Sequence, residues 1–150
     1  MQSRLVHEAN GQRTFVVVLE TGDEVRNSLH RLAEDEGLSG AQLSAIGALR
    51  CATIRWFDWE AKQYRPIPVE EQVEVVSLLG DIALDTEGQP KLHLHAVLGR
   101  RDGSAMGGDL ERGEVRPTLE IVVTESPTHL QRVHDPQTGL ALIRLDGQVP

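Results

Sequence analysis

The strongest constraint on this chain is that one stretch has the apolar repeat of a principal helix, while the remaining apolar segments are patterned as strands. Val25, Leu29, Leu32 and Ala33 fall at i, i+4, i+7 and i+8, the buried stripe of an amphipathic helix. Thr21 or Asp23 is the expected cap and Gly37 the expected stop. A short polar side chain satisfies the first free N–H groups, and glycine accepts the left-handed turn that ends a helix. Each parallel strand pair needs a crossover, usually helical, and one principal helix cannot supply several. The expected class is therefore α+β, with a mainly antiparallel sheet.

Thr14 to Glu20 is β-branched and mostly apolar, which reads as a buried strand. Further strands are expected from Leu43 to Arg50, Ala52 to Trp59, Tyr64 to Val69, Val73 to Leu84, Lys91 to Leu98, Thr118 to Thr124 and Leu140 to Leu145. Gly47 and Gly80 interrupt these runs where a bulge or a close backbone approach is expected. A short second helix is expected over Thr128 to Val133, after Ser126-Pro127. No repeat or Pro/Gly/Ser linker divides the sequence, so residues 1–150 read as one domain, long enough to bury a core without disulfides.

Composition removes several function classes. With 39% hydrophobic and 25% charged residues the chain is neither disordered nor membrane-spanning. Its first residues turn polar without a secretory apolar segment, so a cytoplasmic location is expected. Cys51 has no internal disulfide partner and reads as a small buried residue. A formal charge of −8 opposes phosphate backbones, so strong direct nucleic-acid binding is not expected. Arg100-Arg101 is the nearest basic patch, and it reads as a solvated turn.

The chemistry concentrates in Pro90-Lys91-Leu92-His93-Leu94-His95-Ala96-Val97. Two histidines at i and i+2 of a strand project from one face, opposite Leu92, Leu94 and Ala96. Neutral imidazoles suit zinc, iron, copper or nickel, and a pair needs a third ligand. Asp109, after Gly107-Gly108, is the candidate: two histidines and a carboxylate leave coordination positions open. The competing reading makes His93 and His95 polar residues of a solvent-facing or subunit-facing strand. A cupin would require a glutamate where this chain has Leu98-Gly99-Arg100. Ser77, Ser104 and Ser126 sit in no nucleophile elbow, and His7, His30, His129 and His134 stand apart. Glu74, Glu111 and Glu114 read as surface charges, whereas Glu120, inside Leu119-Glu120-Ile121-Val122-Val123, is expected to need a partner.

In order along the chain stand an early strand, the helix entered by Thr21-Gly22-Asp23-Glu24-Val25, then Ile46-Gly47-Ala48-Leu49-Arg50 and Ser77-Leu78-Leu79-Gly80. His93-Leu94-His95, Gly103 with Gly107-Gly108, and the Glu120 strand follow. This order resembles the plants-and-prokaryotes-conserved (PPC) domain, which stands alone in prokaryotes and is fused to AT-hooks in plant nuclear proteins. The resemblance runs from about Arg13 to about Leu145. It implies a compact α+β domain assembled as a homotrimer. In similar prokaryotic members the His-x-His pair and a histidine after the double glycine form a metal site, usually assigned to zinc. His93 and His95 match, and Asp109 takes the third position by geometry rather than identity. The plant members' Gly-Arg-Phe-Glu-Ile-Leu element, used in contacts with nuclear partners, is replaced by Glu71-Gln72-Val73-Glu74-Val75-Val76. No AT-hook core is present; the nearest string is Arg112-Gly113-Glu114-Val115-Arg116-Pro117.

Two functions follow. The first is a trimeric protein binding a metal or small ligand through His93, His95 and Asp109. The alternative, from the family's usual description, is a DNA-associated regulatory protein acting through partners. No reaction is assigned, because no nucleophile, base and pocket come together in the sequence.

Overall fold

A computed structural model describes residues 1–126 and 130–145. In chain order the elements are β1 (Gln2–Ala9), β2 (Gln12–Glu20), α1 (Val25–Asp35), β3 (Gly40–Asp58), β4 (Gln63–Val69) and β5 (Val73–Leu84). They continue with β6 (Pro90–Gly99), β7 (Ala105–Glu125), β8 (Gln131–Asp135) and β9 (Leu140–Arg144). The helix carries the expected stripe, with Val25, Leu29, Leu32 and Ala33 buried. It stops at Gly37, whose φ of +62° lies in the left-handed region. There the Gly37 N–H donates to the Glu34 carbonyl at 3.2 Å and the Leu38 N–H to the Ala33 carbonyl at 2.9 Å, the paired bonds that close a helix C-terminus.

The cap is neither Thr21 nor Asp23. Glu24 takes that role: one carboxylate oxygen accepts from the Asn27 N–H at 2.8 Å, the other from the Gly113 N–H at 3.1 Å. A longer side chain wins because it also ties the start of the helix to β7. Asp23 instead accepts the Glu20 N–H at 2.9 Å.

Among the described residues the sheet is antiparallel apart from a single parallel pairing, Leu84 with Gln131, so it is mixed and the class is α+β in the broad sense. Its central pairings close on themselves: β3 with β5, β5 with β6, β6 with β7, and β7 with β3. Alternate residues of these strands point inward. Phe15, Val17 and Leu19 of β2 meet Leu119, Ile121 and Val123 of β7, while Leu94, Ala96 and Leu98 of β6 join the same core.

The expected strands over Leu43 to Arg50 and Ala52 to Trp59 are one element, β3, because its partner β7 continues beside it with shifts in register instead of a break. β7 likewise starts at Ala105, well before Thr118. The expected short second helix is not found: Gln131 to Val133 lie in β8, paired residue for residue with β9, and Thr128 and His129 fall outside the described residues. Cys51 is half-buried rather than buried. Gly47 and Gly80 are positions of close approach, where an added β-carbon would stand 2.3 Å from the Thr118 carbonyl oxygen and 2.4 Å from the His93 carbonyl oxygen. Among the described residues no helix is long and apolar enough to cross a membrane.

Candidate metal centre

Sheet register assembles the site. Arg55 of β3 pairs with Asp109 of β7, and Asp109 pairs with His95 of β6, so the three lie in one row across the strands. Directly opposed residues of antiparallel strands share a face. His93, two residues along β6, shares that face and pairs with Asp81 of β5. The ring nitrogens His93 Nε2 and His95 Nε2 stand 3.1 Å apart. Ligand atoms of His93, His95 and Asp109 all lie within 4.8 Å of one another.

Close backbone approach makes this spacing possible. Gly108 is not in a loop, as its glycine-rich neighbourhood suggests, but inside β7, where a β-carbon would stand 2.6 Å from the Arg55 carbonyl oxygen. Gly80 does the same for β5 against His93. Arg26 reaches from α1 to the carbonyls of Leu110 at 2.9 Å and Leu92 at 3.1 Å, joining β7 to β6 beside the cluster.

The surrounding charges orient the three residues. Asp109 is buried, and Arg55 donates to its Oδ1 through Nε at 2.8 Å and Nη2 at 2.6 Å. Both of these bonds fall on one oxygen, so Oδ2 carries neither. The Arg55 guanidinium in turn lies 4.4 Å from the centroid of the Tyr64 ring. Burial, and then the charge of Asp109, push the Tyr64 phenol above its usual value, so at neutral pH it is a protonated donor.

Behind His93, Asp81 Oδ2 lies 3.7 Å from Nδ1, an electrostatic contact too long for a good hydrogen bond. Asp81 Oδ1 accepts from Arg132 Nη2 at 2.6 Å. Burial raises the Asp81 carboxyl, but the influence of His93 and Arg132 outweighs it and holds the group below its ordinary range. The ionised Asp81 thus places a negative charge beside the His93 ring.

The donor set fits a divalent ion. Two ligands about 2.0–2.1 Å from a tetrahedral ion are separated by about 3.3 Å, close to the spacing of the two imidazole nitrogens. Asp109 would supply the third donor.

Other sequence candidates lie elsewhere. His30 makes a 3.4 Å contact with Glu34 on the helix surface, and His7 and His134 are exposed on β1 and β8. His129 is outside the described residues. Glu120 points outward and needs no buried partner, whereas Glu125, at the end of the same strand, is buried. Sequence reasoning passed over Arg55, Tyr64, Asp81 and Arg132. They come from four strands, and only register brings them together.

The fold and the cluster define an α+β protein with a His-x-His strand at its candidate site. The Plants and Prokaryotes Conserved (PCC) domain, named above as PPC, matches residues 6–127, and the chain belongs to that family. A metal-containing protein from Archaeoglobus fulgidus is 34% identical, with a TM-score of 0.81 over 88% of this chain and 93% of that one. A plant- and prokaryote-conserved protein from Pyrococcus horikoshii is 31% identical, with a TM-score of 0.82 over 91% and 94%. A candidate DNA-binding protein from Ralstonia eutropha JMP134 is 32% identical, with a TM-score of 0.82 over 88% and 91%. No curated protein matches the sequence.

Proposed function

We propose that this chain is a cytoplasmic, homotrimeric metal-binding protein that holds a divalent ion, zinc before others, with His93, His95 and Asp109. The observation that carries the reading is the convergence of these three donors within 4.8 Å. The similar protein from Archaeoglobus fulgidus is described as metal-containing, which supports it. Once bound, such an ion would polarise an oxygen atom of a small ligand in its open positions. The trimer is supported by the outer face of the sheet, where Ile46, Val76, Leu79, Val97 and Val122 are all exposed. Contiguous apolar surface of this kind marks an interface.

The test uses untagged protein. Wild type is expected to retain about one zinc per chain, and His93→Ala, His95→Ala and Asp109→Asn to lose it with the fold intact. Equal zinc in all four proteins would leave the histidines as ordinary polar residues. Light scattering on the same samples reads the assembly, and a monomer mass over a wide concentration range would remove the trimer.

The alternative is a DNA-associated role, since the similar proteins from Ralstonia eutropha and Bacteroides thetaiotaomicron are described as candidate DNA-binding proteins. For this chain we place such a role in protein partners. Its net charge is −8, and Arg13, Arg50, Arg55, Arg65, Arg100 and Arg132 are each engaged with a carboxylate. Sequence-selective binding to a duplex at about 150 mM salt would reverse this order.

A further inference from the structure

A cavity of about 290 Å³ lies against the metal candidate, with His93 and Asp109 in its wall. Its floor comes from β3, β4, β6 and β7, and the β8–β9 hairpin forms the opposite side. Its size is at the lower limit for small-molecule sites, and at about 30 Å³ per water-sized group it holds no more than about ten such groups.

The wall has two chemical halves. Leu140 and Leu142 of the hairpin make its apolar part. The other carries three cations, Arg55, Lys91 and Arg132, against the two acids Asp85 and Asp109. Asp81, hydrogen-bonded to Arg132 just outside the wall, brings the fixed charges to balance. A divalent ion on His93, His95 and Asp109 would make this half cationic.

Arg132 gives the clearest sign of a missing partner. It is only 8% exposed. Its Nη1 donates to the Ala141 carbonyl at 2.8 Å and its Nη2 to Asp81 at 2.6 Å. Its Nε is, among the described residues, a buried side-chain donor without a hydrogen-bond partner. Buried polar groups are almost always satisfied, so this orphan marks an under-satisfied guanidinium beside the cavity; with Nε itself enclosed, the second N–H bonds of Nη1 and Nη2 are the donors left for a ligand. Tyr64 adds a phenol donor to the same half.

We infer that this cavity binds a short aliphatic carboxylate, its oxygens shared between the metal and Arg132 and its hydrocarbon against Leu140 and Leu142. The inference rests on the metal reading above and supplies that site with a ligand class. A small polyanion such as phosphate would match the cations but leave the leucine wall unused. A neutral amide of the same shape would keep the wall and lose the charge.

The experiment first measures zinc content, then titrates isobutyrate, isobutyramide and inorganic phosphate into zinc-loaded and metal-stripped protein by calorimetry. In cobalt-loaded protein the visible spectrum reports directly on the metal. Isobutyrate is expected to saturate at one per chain in the loaded protein, to shift the cobalt bands, and to bind at least about tenfold more tightly than isobutyramide. It should bind more tightly than phosphate and lose about tenfold or more on metal removal. Leu142→Trp, which fills the apolar half without touching a charge, should keep its zinc and lose isobutyrate binding. Arg132→Gln should do the same, and Leu142→Trp remains decisive if Arg132→Gln fails to fold. A chain that takes up no zinc overturns both readings. Zinc uptake with isobutyrate binding no tighter than isobutyramide or phosphate, or unchanged in Leu142→Trp, overturns the carboxylate inference alone.

Discussion

Strand β7 carries a buried acid near each end, and the two are satisfied differently. Glu125 uses both oxygens: Oε2 takes Arg13 Nε at 2.7 Å, and Oε1 takes the Ser39 N–H at 3.1 Å. Arg13 also donates to the Glu36 carbonyl at 2.9 Å, so this knot fastens the end of α1 to the sheet. Asp109, also paired with an arginine, receives both Arg55 bonds on Oδ1 alone. A carboxylate bonded at both oxygens is a structural fastener. One bonded at a single oxygen, facing two imidazoles, still has an acceptor to offer.

The largest expected effect tests the fastener. Glu125→Ala strands a partly buried guanidinium and a backbone N–H, and should cost about 3–4 kcal/mol in urea unfolding while leaving zinc per folded chain unchanged. A loss below about 1 kcal/mol would show that the saturated end is not the stronger one.

Arg55→Met should cost less, about 2 kcal/mol in the metal-free protein, because Arg55 is partly exposed and Asp109 keeps its imidazole neighbours. The sharper result is opposite in sign. Arg55 competes with the ion for Asp109, so the variant should bind zinc about tenfold more tightly in a competitive chelator titration. Weaker zinc binding would make Arg55 a support of the site rather than a competitor.

The smallest effect concerns the hairpin beside the half-satisfied end. Asp135 holds the β8–β9 turn, accepting from Thr138 Oγ1 at 2.8 Å. That bond is the first cause of a carboxyl held below its ordinary value. A depressed folded value contributes stability present above the unfolded value, near about pH 4, and lost as pH falls through the folded value. The urea midpoints of wild type and Asp135→Ala should therefore differ slightly at pH 7 and converge below about pH 4. A constant gap down to about pH 2 would assign the effect to packing.

Much of this was legible in the sequence, and the failures have physical causes. The helix stripe, its stop at Gly37 and the span of β5 follow from periodicity and glycine conformation. His93 and His95 share a face because strand side chains alternate. The same alternation separates Glu120 from Glu125, which stand five residues apart on opposite faces of β7. Strand β1 was missed because all eight of its residues are exposed, so it carries no burial pattern. The first half of β7 was missed because its glycines resemble a turn, whereas they serve close strand contacts. Arg55, Asp81 and Arg132 were hidden because a lone sequence does not disclose which strands pair.

The closed cycle of β3, β5, β6 and β7 also sets the order in which backbone amides meet solvent. His95 lies where β6 is hydrogen-bonded on both flanks, to Leu79 of β5 and to Asp109 of β7. No free edge is present there from which the strand can peel. In hydrogen exchange the amides from His95 to Leu98 should therefore open with the slowest, global unit, whereas β8 and β9, joined to β5 by one pairing, should open earlier. The cavity's hairpin side is thus expected to open before its histidine strand.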